Sequence, residues 1–146
     1  MAVMQYPIAE NLVDATLTAT GHVDWTLKPC DSLSIMLSVG TVSGSTPTMD
    51  VAVQTSPDGG TTYLTVQRFT QVTTTGAAET ITFKPYLGVG DAATAIVSAA
   101  TGGQLKGNVV CAKDMRILYT IAGTTPSLAA KVFVVYSGGQ NSRGGI

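Results

Sequence analysis

Residues 33–53, LSIMLSVGTVSGSTPTMDVAV, and residues 115–135, MRILYTIAGTTPSLAAKVFVV, carry one pattern twice. In the first, Leu33, Ile35, Leu37 and Val39 alternate with mostly polar neighbours, a Gly/Ser/Thr/Pro stretch follows, and Met49, Val51 and Val53 alternate again. In the second, Met115, Ile117, Tyr119 and Ile121 lead into GTTP at residues 123–126, and Leu128 to Tyr136 forms the return. Successive side chains of a strand point to opposite faces, so a period of two means one buried face and one wet face. Each stretch reads as a β-hairpin. The chain as a whole reads as all-β, a single antiparallel β-sandwich of jelly-roll or immunoglobulin-like form with extended N- and C-terminal arms.

Working outward, Val13, Ala15, Leu17 and Ala19 mark a strand at 11–20, and Trp25 lies in another at 23–27. SPDGGTTY at 56–63 is a tight turn, because Pro presets φ and Gly accepts positive φ. It leads into a strand at 63–70, and Ile81 and Phe83 mark one at 80–84. From 87 to 107 the alternation fails, and loops of that length are uncommon unless they serve a function or a partner. The division is therefore an N-terminal arm at 1–11, a sandwich domain at 12–136 with a long loop at 87–107, and a Gly-rich tail at 137–146.

The chain has 146 residues, enough for a single core. Only 12% of its residues are charged and the net charge is −1, whereas ordinary domains carry about 25%. A surface rich in Thr, Ser and Ala repels its neighbours weakly, which points to life among other subunits. The eight basic residues are scattered singly, so no stripe offers itself to a phosphate backbone and no nucleic-acid partner is expected. No run approaches the 18 or so apolar residues of a spanning helix, so no membrane partner is expected either. MAVMQYPIAENLVD lacks the basic start and apolar run of a secretion signal, which leads to the expectation of synthesis in a cytoplasm.

Catalysis is tested by subtraction. His22 and Asp24 are spaced to share a strand face, yet no nucleophile is indicated beside them. Asp58 sits in a turn with Asp50 as the next acid, too sparse for a hard cation. LGVGD at 87–91 has glycines but no following P-loop lysine. Cys30 and Cys111, even with His22, leave a zinc site one ligand short. They read as two small buried hydrophobes, with a disulfide as the alternative. No catalytic residue, metal or cofactor is expected. Tyr63, Phe69, Phe83, Tyr86, Phe133 and Tyr136 fall at strand spacing, and core packing accounts for most of them.

The order of strand, SPDGG turn with Thr and an aromatic, Thr-rich loop, Met115-Arg116-Ile117 strand, GTTPS at 123–127 and final strand resembles small β-sandwich structural proteins of tailed-bacteriophage virions, in particular capsid decoration (cement) proteins. The resemblance covers roughly residues 14–136. It implies a non-enzymatic protein of the virion capsid, made in the host bacterial cytoplasm, that binds the major capsid protein and stabilises the shell. It also implies self-association as a homotrimer. A carbohydrate-binding module on a virion surface and a tail-tube or tail-tip subunit are the alternatives. Candidate interface residues are Met4, Tyr6 and Ile8 in the arm, Ala92, Ala95 and Ile96 in the long loop, and Arg143 in the tail.

Overall fold

The structure is a computed structural model and describes residues 8–85 and 111–138. Six antiparallel strands are found there and no helix: β1 (Ile8–Leu17), β2 (Gly21–Thr26), β3 (Ser32–Ser56), β4 (Leu64–Arg68), β5 (Ala78–Phe83) and β6 (Asp114–Ser137). The all-β antiparallel expectation holds. Of the first arm, residues 8–11 belong to β1, which ends at Leu17.

The two patterned stretches are not hairpins. Each is one long strand, β3 of 25 residues and β6 of 24, and the two pair with each other from Ser32↔Ser137 to Ser56↔Asp114. The pattern is compatible with both arrangements, because alternation fixes which face a residue occupies and leaves the identity of the neighbouring strand open. What separates them is the middle. Between Val39 and Thr48 the register shifts three times, and bulges of this kind bend a strand and raise its twist without reversing it. The Gly/Ser/Thr/Pro segments are thus bends in two continuous strands.

The bends cross as an approximate two-fold pair. Ser45 pairs with Thr124 at the centre. Gly44 lies against the backbone of Thr124, Thr125 and Pro126, and Gly123 lies against that of Ser45, Thr46 and Pro47. Gly44 and Gly123 have φ of 109° and 116°, while Thr46 and Thr125 have φ of 48° and 46°. Gly is required here twice over. The conformation disfavours a side chain, and a Cβ would stand 2.6 Å from Thr125 O at position 44 and 2.8 Å from Thr46 O at position 123.

Beyond the crossing the two halves diverge into two layers. Residues 32–39 of β3 and 128–137 of β6 are flanked by β5 and β1, giving the order β5-β3-β6-β1. Residues 49–56 of β3 and 114–121 of β6 are flanked by β4 and β2, giving β4-β3-β6-β2. The inward side chains of the two layers meet. Val13, Leu37 and Val132 from the first line the same apolar space as Met49, Val51 and Ile117 from the second. At one end the layers are also joined by a buried hydrogen bond, with the Trp25 Nε1–H donating to the Tyr136 hydroxyl at 3.1 Å. Burial pushes the Tyr136 hydroxyl pKa up to about 12, so it remains a neutral donor for the Thr26 carbonyl.

Two expectations follow from this packing. Gly44→Ala and Gly123→Ala should each destabilise by about 2 kcal/mol or more, combining backbone strain with a backbone clash. Gly76→Ala, also at positive φ but with nothing within 4 Å of its Cβ position, should cost about 1 kcal/mol. Equal losses at positions 44 and 76 in urea unfolding would contradict the crossing geometry. In the core, Ile117→Ala should cost about 2–5 kcal/mol and Val51→Ala somewhat less, while exposed Thr120→Ala should stay under about 0.5 kcal/mol.

Candidate functional site

The outward faces of the two layers differ in chemistry, and the register makes the difference countable. On the first layer one transverse row runs Thr80, Met36, Phe133, Asn11, and the next runs Thr82, Ser34, Val135, Ala9. No member of either row is charged. Met36 is 38% exposed, one of two large hydrophobic side chains so placed among the described residues, the other being Leu64 at the start of β4. The Ser34 and Thr82 hydroxyls share a hydrogen bond at 2.7 Å. The third row, Ala78, Ser38, Lys131, Asp14, brings in one charge of each sign at the end nearest the crossing. There Asp14, Thr16, Ser38, Gly40, Ala129 and Lys131 line a shallow open groove.

Every corresponding row of the second layer is charged. Thr65, Gln54, Arg116 and Asp24 form one, and Arg68, Ala52, Leu118 and His22 the next. These groups hold one another. The Arg116 Nε–H donates to Asp24 Oδ1 at 2.9 Å, and the guanidinium lies 3.7 Å from the centre of the Tyr63 ring. Gln54 donates to Thr65, and Gln71 donates to both oxygens of Asp50. Arg116, Asp24, Gln54, Thr65, Gln71 and Asp50 on face two are thus paired among themselves, while Arg68 is buried with its Nε–H unpartnered among the described residues. The first two rows of face one present neutral hydroxyl, amide and apolar groups.

Sequence-level candidates fall out as follows. His22 Nε2 is 4.0 Å from Asp24 Oδ1, but Asp24 is turned to Arg116, and both His22 and Asp24 are exposed on β2. Asp58 closes its turn, accepting from Ser56 Oγ, Thr61 N and Thr62 N at 2.7–3.1 Å. The Thr62 bonds foremost, with Ser56, hold its carboxyl down at about 2. Cys30 and Cys111 are buried free thiols, and burial pushes them up to about 11 and about 12. Phe69, Phe83 and Tyr136 are core residues, and Tyr63 has Arg116 over its ring, so these four form no open aromatic platform. Among the described residues no group of three His, Cys, Asp or Glu is placed to hold a metal, and no helix is long and apolar enough to cross a membrane. Met4, Tyr6, Tyr86, Ala92, Ala95, Ile96, Arg143 and the side chain of Ile8 lie outside the described residues; the Ile8 backbone opens β1 opposite Tyr136. The neutral rows of face one were not singled out from sequence. Their signal is the polar phase of the same alternation, Ser34-Met36-Ser38 and Thr80-Thr82, which is uncharged.

Comparison with protein-family models, with curated proteins and with solved structures returns no match.

Asp58 generates a pH prediction. Its folded pKa lies below its ordinary value near 3.8, so the stabilisation from the ionised carboxylate is present above that value and lost as pH falls toward 2. The melting temperature of the wild type should therefore drop more steeply between pH 4 and pH 2 than that of Asp58→Ala. Parallel curves would remove the turn-closing role.

Proposed function

We propose that this chain is a non-enzymatic virion structural protein, a decoration or cement protein that docks on the assembled shell of a tailed bacteriophage and clamps neighbouring major capsid subunits. The observation that carries the reading is the contrast between the two sheet faces. The two uncharged rows of face one, with the exposed Met36 among them, can be buried against another protein without desolvating ions, while the Arg116–Asp24 pair of face two already has its partner. The low charge of the whole chain supports the same reading, as does the sequence order of the SPDGG turn and the GTTPS segment, which resembles that of such proteins. Self-association as a homotrimer on the shell belongs to it, since ring closure shields sheet edges from open-ended pairing.

The mechanism is linkage. A protein that binds the assembled shell and not its free subunits stabilises the shell in proportion to the logarithm of its concentration over its dissociation constant, and repetition over many sites multiplies the effect. Face one is the docking surface, and the crossing of β3 and β6 keeps it rigid.

The test adds purified protein to expanded and unexpanded shells of its own phage. Expanded shells should bind it and disassemble at higher temperature. Met36→Lys should lower affinity roughly tenfold or more, as expected where about 1.5–3 kcal/mol of apolar burial is lost, and Thr82→Lys should lower it as well by bringing an unpaired charge into the contact. Thr120→Lys, on face two, should bind normally. Unchanged occupancy for both face-one variants overturns the assignment of the face. Absence of binding to either shell overturns the function.

A further inference from the structure

Cys30 and Cys111 are the two cysteines of the chain, and neither the crossing nor the proposed docking face uses them. Cys30 lies between β2 and β3, and Cys111 lies just ahead of β6. Two ladders bring them to one corner. The β2–β6 pairing sets Thr26 opposite Asp114 and is prolonged by the Leu27 N–H donating to the Lys113 carbonyl at 2.7 Å. Cys30 follows Leu27 by three residues and Cys111 precedes Lys113 by two, so this bond brings the two segments that carry the cysteines together. From the other side, the Cys111 N–H donates to the Pro85 carbonyl at 2.8 Å. In the β3–β5 ladder Leu33 stands opposite Phe83, so Pro85, two residues beyond Phe83, lies at the end of β3 that Cys30 leads into. The segments on either side of Cys30 are thus both linked to the approach of Cys111, one through Leu27 and Lys113 and the other through the β3–β5 ladder and Pro85.

Both side chains belong to the one core cluster, with Cys30 1% and Cys111 7% exposed. Burial foremost, and then the neighbouring Cys30, raises the pKa of the Cys111 thiol. We propose that Cys30 and Cys111 form an intrachain disulfide under oxidising conditions, stapling the β2–β3 connection to the approach of β6. The oxidant is a small disulfide such as oxidised glutathione. One protein thiolate attacks it, forming a mixed disulfide and releasing one reduced glutathione. The second protein thiol gives up its proton to solvent and attacks the bonded protein sulfur, releasing the second glutathione. Two protein thiols lose two electrons, and one glutathione disulfide gains them.

Burial sets when this happens. Attack needs a thiolate, and both groups are held protonated in the folded core, so exchange is slow in the native protein and fast while the chain is folding. The bond would enclose β3, β4 and β5, a long loop whose closure restricts the unfolded chain strongly.

The test refolds reduced protein at pH 8 with oxidised glutathione, alkylates it in denaturant and maps peptides by mass spectrometry. The expected product is a monomer with no alkylated cysteine and a linked peptide pair containing residues 30 and 111. It should melt about 10 °C above the reduced protein, and reductant should abolish the difference. Cys111→Ser should retain one glutathione on Cys30, where the wild type retains none. Two alkylated cysteines, glutathione persisting on the wild type, or cross-linked dimers in place of the bridged monomer would each overturn the proposal. If the variant fails to fold, the wild-type peptide map decides alone.

Discussion

Everything in this fold depends on the close approach of two backbones where β3 and β6 cross. Two strands of this length, paired throughout, would make a flat ribbon with a hydrophobic side open to water. The bulges around Ser45 and Thr124 turn the ribbon on itself, so that the apolar phase of its first half faces the apolar phase of its second. That turn needs glycine where the chains touch, since a Cβ at either Gly44 or Gly123 would fall within 3 Å of the other strand's backbone. Once the ribbon is bent, the four shorter strands have only to cover its edges, two on each layer.

The same geometry explains why the outward faces are free to differ. Inward positions answer to packing. Leu33, Ile35, Met49, Val53, Met115 and Ile117 are all fully buried, and their identities are set by volume and apolarity. Outward positions answer only to solvent or to a partner. Face two answers to itself, through Arg116, Asp24 and Tyr63. Face one, with Thr80, Met36, Phe133 and Asn11 in one row, has hydrogen bonds of Ser34 with Thr82 and of Asn11 to Asp14, and its first two rows hold no charge.

The sequence made the strands and their phases legible, because period-two alternation is a local property and Ile117 and Val51 fall where it puts them. The SPDGG turn was equally legible, since Asp58 closes it with bonds to residues three and four positions on. The partner of each long strand was not legible. Gly-Ser-Thr-Pro and Gly-Thr-Thr-Pro state that the chain leaves regular extension there, and a reversal and a bulged bend use the same residues. The signal that separates them is the duplication itself. Two copies of a bend can pack glycine to backbone against each other, as Gly44 does on Thr125 and Gly123 on Thr46. The neutral face was hidden for a different reason, because charge per face can be counted only when register tells which outward residues stand side by side.

A chain that clamps a repeated lattice, as proposed, must resist deformation more than it must bind tightly at any one place. Strain applied at the outward face of the first layer reaches the second through the packed core between them and through the crossing, where Gly44 and Gly123 let the two backbones approach closely. The far end of the sandwich is held in turn by the Trp25–Tyr136 bond and by the ion pair of Lys28 with Glu10. Of these restraints, the ion pair is the weakest, since its partners are partly exposed and screened by solvent. Rigidity therefore rests on the covalent continuity of β3 and β6 through both layers together with the core packed between them.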